Sequence, residues 1–544
     1  MRTVFCIFLS FALLGAGRFD GGNLGEEARR WWAHVEKLAN DDLQGRDVGT
    51  EGYAAAARYV AAEYEKAGLA PGGTASSYMQ PTAFEVLRLD EPNCSLTLIS
   101  NTQSGNDQRE KLELGEHANI GVRTPPAAKL SAPMIFAGYA TRVPEMNYDD
   151  LAGLDLKGKI VVYISGQPAG VQGPIVSHHQ SLRAKYLAER GAVGMAVINN
   201  PANTDIPWSR STQARLNPAM MIKEKKSKQP ELKLSLTINP AHADKFLAGS
   251  GHTIDEIFGL ARDKQPLPRF DLKTRIEATG AYTRDSVQSM NVVGIQWGKD
   301  PVLKNEFVVV TAHLDHLGVN PKLSGDQIYN GAMDNASGVA SLIEAARHLR
   351  DLGVETKRSI AFIALTGEEK GLLGSRWYAE NPSFGKVKKA RVVANLNMDM
   401  YLPLFPLKGL VILGVDESTL GDLAKTGAEE AGVEVWPDPA PERNSFVRSD
   451  QYSFIRAGIP ALAFKFGYKK GTDEEKLVQA WLKERYHAVG DDLDQPVDKE
   501  AAAKYNRVLA SMIVKAADAP EAPRWKDESP FKAIAAAALA AKKK

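Results

Sequence analysis

Downstream of Phe270, short apolar runs alternate with helical spacing, and three of those runs stop at histidines or carboxylates. Residues 307–311 (Phe-Val-Val-Val-Thr) lead into Ala312-His313-Leu314-Asp315-His316. Residues 360–365 lead into Thr366-Gly367-Glu368-Glu369, and residues 392–396 into Asn397-Met398-Asp399. Further strand-like runs cover 291–295, 410–413 and 460–464, with helical patterns at 338–349 and 420–431. This alternation predicts an α/β fold, a mixed sheet with helices on both faces. Open α/β sheets bind ligands outside the carboxyl ends of their strands. Three strands delivering His, Glu and Asp to one edge constrain the chain more than any single motif does.

Two further segments carry the same chemistry. In Asn330-Gly331-Ala332-Met333-Asp334-Asn335-Ala336-Ser337-Gly338, Asp334 stands just before a helix start, where Asn335 or Ser337 can cap. Tyr486-His487-Ala488-Val489-Gly490-Asp491-Asp492 places another histidine in a polar loop. Near the start, helical spacing covers residues 26–40 and 53–67, with Leu43-Gln44-Gly45-Arg46 between them. The middle of the chain is β-rich, with apolar runs at 133–139, 158–163 and 191–198 and no charged constellation, so it reads as scaffold. Residues 533–544 are alanine-rich and end in three lysines, which predicts a loose tail.

Charge and cysteine content narrow the partners. The 544 residues carry a formal net charge of +1, so the chain lacks the basic field that nucleic acid or an acidic membrane requires. Arg2, an apolar run from Val4 to Leu14 and the small residues Gly15-Ala16-Gly17 together read as a secretory signal, cleaved after Gly17. The run is short for a permanent span; the competing reading is an uncleaved anchor or a buried first helix. Cleavage would remove Cys6 and leave Cys94 alone, with no internal disulfide. The expected location is periplasmic or secreted, with no stable membrane association after cleavage.

The order His-x-Asp, Asp-Asn, Glu-Glu, Asp, Tyr-His resembles the di-zinc aminopeptidase family that includes bacterial leucyl aminopeptidases and aminopeptidase Y, with glutamate carboxypeptidase II as a more distant relative. The resemblance covers roughly residues 272–515 and the Leu43–Arg46 leader, and the middle block is similar to the protease-associated domain inserted in such proteins. It implies that His313 and Asp399 bind one Zn²⁺, Glu369 and His487 a second, and that Asp334 bridges them. It also implies Glu368 as general base, Asp315 as the residue that orients the His313 imidazole, and peptides as substrates. Ligand type alone would also admit Mn²⁺ or Co²⁺. Adjacent side chains diverge, so one of the Glu368–Glu369 pair can ligate while the other accepts a proton from an acidified water.

The expected division is a signal at 1–17, peptidase domain at 24–110 and 269–516, a protease-associated-type insert at 111–268 and a C-terminal tail at 517–544. Tyr452 is a candidate oxyanion donor or a core tyrosine, and Gln451 stands where many relatives carry histidine. The helical pattern within 469–484 suggests a cover at the site edge. His316, His348, His178, His179, His117, His242, His252 and His34 are read as structural or surface residues. The leading function is a secreted metallo-aminopeptidase. The alternatives are a carboxypeptidase or amidohydrolase, with Arg443 and Arg448 as candidate carboxylate binders, a catalytically silent receptor-like protein, and a one-zinc glutaminyl cyclase. Oligomeric state is not readable from the sequence.

Overall fold

The computed structural model describes residues 22–101, 107–171, 173–203, 207–223, 230–385, 387 and 389–542; the expected signal at 1–17 lies outside them. The chain forms two compact units. One comprises the described part of Met1–Thr82 with Gln288–Lys544, the other Ala83–Val287. The expected insert limits of 111 and 268 fall inside the second unit. Long strands, Met79–Leu89 and Tyr282–Gln296, run through both junctions, so the sequence shows no break in composition there.

In the first unit the sheet strands are β1 (Tyr282–Gln296), β2 (Glu306–His313), β3 (Ser359–Leu365), β4 (Arg391–Asn397), β5 (Gly409–Leu413), β6 (Glu434–Trp436) and β7 (Ala461–Phe466). Their spatial order is β1-β3-β2-β4-β7-β5-β6. The central strands β3, β2, β4 and β7 are mutually parallel, while β1 and β5 join antiparallel. Every residue of β3 is buried, as a strand covered on both faces requires.

Helices cover both faces. The helices α1 (Leu24–Leu38), α2 (Glu51–Lys66), α3 (Ser337–Asp351), α5 (Thr419–Glu430) and α8 (Lys499–Asp518) pack with Val308 and Val310 of β2. On the opposite face, Phe307 and Val309 meet α4 (Leu373–Glu380), α6 (Gln451–Arg456) and α9 (Phe531–Lys542). The alternation of β2 side chains sorts the two cores. Local signals start several helices: Asn23 caps α1, Thr50 caps α2 and Asp498 caps α8 through bonds to backbone N–H groups. Helix α7 (Asp473–Glu484) buries Val478 and Trp481 but leaves Leu477 40% exposed.

The second unit is built on a sheet ordered Asp107–Leu112, Ser95–Asn101, Arg269–Thr279, Leu130–Ala137, Ile160–Ile164, Gly194–Ile198, Ser235–Ile238, Ala118–Ile120. Short helices Ala243–Leu247 and Ile254–Arg262 supply Phe246, Leu247 and Ile257 to one of its cores. Its two chain ends lie together: Arg284 pairs with Glu85 at 2.7 Å, and the Asp90 N–H donates to the Ala281 carbonyl.

The carboxyl-terminal segment departs from the expected loose tail. Phe531, Trp525 and Ala535 are buried with Phe446 and Phe454, and the Trp525 indole donates to the Gly458 carbonyl at 3.1 Å. The alanines read as featureless in sequence, but one face of α9 is a packing surface. Phe531→Ala is expected to lower unfolding free energy by about 3–5 kcal/mol, measured by chemical denaturation.

Candidate metal centre

The site lies at the carboxyl ends of β2, β3 and β4, where register sets the spacing of its side chains. His313 is the last residue of β2 and pairs with Leu365 of β3, while Thr311 pairs with Asn397 of β4. Glu368 and Glu369 therefore follow β3, and Asp399 follows β4, into one space. Asp334 enters from the irregular turn before α3, where it and Asn335 leave helical geometry. Gly331 makes that turn possible: its φ is +62°, and a Cβ there would lie 2.3 Å from the Asp334 carbonyl oxygen and 2.6 Å from the His316 ring.

The five expected ligands converge. His313 Nε2 lies 3.1 Å from Asp334 Oδ1 and 3.4 Å from Asp399 Oδ1. His487 Nε2 lies 3.4 Å from Asp334 Oδ2 and 3.2 Å from Glu369 Oε2. Asp334 thus presents one oxygen to each histidine. His313, Asp334 and Glu369 each offer a ligand atom within 4.8 Å of the others. Two imidazoles and three carboxylates aimed at common points form a donor set suited to a divalent cation such as zinc.

Each ligand is held by its neighbours. His313 Nδ1 faces the Asp315 carbonyl at 3.0 Å, which directs Nε2 into the site. The Asp315 carboxylate instead accepts from the Glu368 and Glu369 N–H groups at 3.1 and 3.2 Å. This corrects the expected role of Asp315: its backbone orients the imidazole, while its side chain shapes the Glu-Glu turn. Strand periodicity stops at His313, so the side chain two residues on takes a different direction.

His316, read from sequence as structural or surface, is fully buried and its Nδ1 lies 2.8 Å from Glu369 Oε1. The Asp491 carboxylate accepts from the Met333 and Asp334 N–H groups, both at 2.9 Å. Asn335 donates to the Met398 carbonyl and accepts from the Gly338 N–H, linking the Asp334 turn to the Asp399 strand end. Gln451 accepts from Asn397 at 2.9 Å, so it braces the base of the Asp399 segment. Arg46 is wholly buried, and its guanidinium donates to the carbonyls of Leu38, Leu314, Asn330 and Gly331. Tyr452 packs in the apolar cluster with Phe446 and Phe454, and the Arg456 guanidinium lies over its ring, a core placement.

Electrostatics follow from this crowding. Burial opposes charge on His487, yet Asp334 and Glu369 outweigh it and carry the imidazole up to about 11. His313 is likewise held well above its usual value, its burial outweighed by Asp334 and Asp399. Glu369 is drawn down to about 2 by His316 and His487 against burial and the Asp334 charge. Glu368 is pushed well above the carboxylate range, first by burial and then by Asp399, Glu369 and Asp450. Asp450, also buried, is raised to about 7, chiefly by burial. Sequence reasoning assigned Asp450 no role, and nothing in its local pattern marks burial.

Residues 291–513 match the sequence profile of peptidase family M28. A curated relative, Aminopeptidase YwaD of Bacillus subtilis, is 27% identical over 247 residues, 45% of this chain and 48% of its own length. Carboxypeptidase Q of Mus musculus is 23% identical over 443 residues, covering 77% of this chain and 81% of that one. The chain spans about half the length of the first curated relatives it matches. Among solved structures, the aminopeptidase from Aneurinibacillus sp. strain AM-1 superposes with a TM-score of 0.51 at 19% identity. That match covers 91% of this chain and 95% of the other, a likeness of fold. The M28 match contains all five converging side chains, and Glu368 and Asp450 with them.

In the metal-free protein the two imidazoles carry protons that a cation must displace. Titrating Zn²⁺ into the metal-free chain is therefore expected to release protons, with apparent affinity tightening as pH rises. Calorimetry in buffers of different ionisation enthalpy, repeated across pH, measures both.

Proposed function

We propose that the chain is a zinc-dependent aminopeptidase that hydrolyses the first peptide bond of peptides with a free amino terminus. The observation that carries this reading is the convergence of His313, Asp334, Glu369, Asp399 and His487, with Glu368 beside them, within the M28 segment. In this reading His313 and Asp399 hold one ion, Glu369 and His487 a second, and Asp334 serves both. Bound there, the ions supply Lewis acidity for the scissile carbonyl and lower the pKa of water.

The protein's own groups supply proton transfer and positioning. The backbone of Glu368 is fixed by the Asp315 carboxylate, and its own carboxyl sits in a buried, strongly acidic setting that favours holding a proton. It takes a proton from the attacking water and returns one to the leaving amine, a contribution worth 10²–10⁴-fold in typical cases. With a cation held by the neighbouring ligands, the Glu368 carboxyl would give up its proton more readily and could act as a base. His316 keeps one oxygen of Glu369 engaged, leaving the other for a ligand.

The name of the mouse relative, a carboxypeptidase, makes carboxypeptidase activity the second reading. Export fits the signal-like residues 1–17, and no helix among the described residues is long and apolar enough to cross a membrane. The β-rich second unit is read as a protease-associated-type module.

A panel of aminoacyl-p-nitroanilides, N-blocked peptides and C-terminal substrates separates the readings. Cleavage of free-amine substrates alone, abolished by a chelator and restored by Zn²⁺, is the expected result. Cleavage confined to C-terminal substrates would favour the second reading. Glu368→Gln is expected to lower kcat by about 10²–10⁴-fold at unchanged zinc content, checked by steady-state kinetics and elemental analysis.

A further inference from the structure

The ligand cluster is strongly acidic, yet three cations stand at its edge. Lys465 lies on β7, which runs parallel to β4 with Asn397 opposite Ala463. Two residues further along each strand, Lys465 comes level with Asp399. The bond from the Phe466 N–H to the Tyr401 carbonyl, at 3.0 Å, keeps the two segments side by side past the end of β4. Asp399, Arg443 and Arg448 are among the charges acting on Lys465. Arg448 also acts on Tyr486, whose ring stacks on His487 with centroids 4.0 Å apart. Geometry sets two of these cations near Asp399: Lys465 comes level with it by strand register, and Ser449, the neighbour of Arg448 in sequence, accepts from the Asn397 amide at 3.2 Å.

None of the three is neutralised. Among the described residues, Lys465, Arg443 and Arg448 make no side-chain hydrogen bond or ion pair, although many other lysines and arginines do. Asp438, the other carboxylate acting on Lys465, accepts from the Ala440 N–H at 2.9 Å instead. Burial pushes the Lys465 amine below its usual range, and Arg443 and Arg448 add to that against Asp399. Like charges gathered at a partly buried edge repel one another unless an anion joins them. Arginine is suited to bind carboxylate through two parallel hydrogen bonds. A reacting peptide bond at the ligand cluster would bring neighbouring substrate groups to this edge.

We propose that Arg443, Arg448 and Lys465 form a carboxylate-binding subsite beside the metal ligands, which selects peptides carrying an anionic group close to the scissile bond. The inference rests on the peptidase reading above. A carboxylate there comes either from an acidic side chain or from the free carboxyl terminus of a short peptide.

The test compares matched substrate pairs on the zinc-loaded full chain. Glu- against Gln-p-nitroanilide reports the side-chain source, and Ala-Ala against Ala-Ala-amide reports the terminal source. At least one pair is expected to favour the anionic member by tenfold or more in kcat/KM, the preference shrinking with added salt. Arg448→Gln combined with Lys465→Met should collapse that ratio at least tenfold, mainly through KM. Arg448→Glu, on an exposed loop position, should reverse it. A ratio near one for both pairs in the unaltered protein, or a preference the variants leave intact, overturns the proposal. Binding of glutarate against glutaramide, followed by calorimetry, reads the subsite without turnover. If no peptide is cleaved, the peptidase reading fails while this arm still decides the subsite. Glutarate binding weakened at least tenfold by the double variant supports the subsite, and equal binding to both proteins overturns it.

Discussion

Negative charge held out of water governs this molecule. Asp315, Asp334, Asp450 and Asp491 are buried around the strand ends, with Glu368, Glu369 and Asp399 less deeply covered beside them. Carboxylates packed this closely in a medium of low polarity repel strongly, and desolvation penalises each one. The fold answers with two imidazoles, a third at His316 and the buried guanidinium of Arg46. Burial lowers even that guanidinium to about 10, although Asp491, Asp315, Asp334 and Glu369 all pull it upward. A divalent cation bound as proposed above would complete the compensation, so metal binding and the integrity of the acidic cluster would be two sides of one charge balance.

Backbone geometry brings these charges together. Parallel strands in fixed register deliver His313, Glu368, Glu369 and Asp399, and the cross-braces made by Asp315, Asn335, Gln451 and Asp491 determine where the intervening loops run. Arg46 bonds only to carbonyls, so it fixes main chain beside the ligands while its charge acts on the carboxylates through space. Two residues at the site, Met400 and His487, have left-handed backbone at φ +48° and +53°. Such conformations are costly for residues with a Cβ and are retained where surroundings enforce them.

Much of this was legible in the sequence, because strands covered on both faces read as apolar runs and their ends are marked by the change to polar residues. His313, Glu369 and Asp399 are visible for that reason, and Asp334 and His487 through the family resemblance. What escaped depends on direction and depth, which a linear pattern does not carry. His316 follows the end of β2, where alternation no longer says which way a side chain turns, and the same gap misplaced the Asp315 carboxylate. Arg46, Asp450 and Asp491 look like ordinary polar residues of turns until long-range packing buries them. The carboxyl-terminal helix escaped for the opposite reason: alanine packs well but signals little, and only Trp525 and Phe531 reveal that it has an inner face.

The pairing of Arg284 with Glu85 bears on how such a chain can be assembled at all. Arg46 must reach Leu314, Asn330 and Gly331 across the whole of the second unit, about 200 residues. As an unfolded loop, that stretch would impose a closure entropy on every contact between the leader and the sheet. Once the second unit folds, the segments near its ends are held together by the Arg284–Glu85 ion pair and the Asp90–Ala281 backbone bond, and the first unit has a shorter connection left to close. An interruption in the chain thereby becomes, in folding terms, nearly a continuous one.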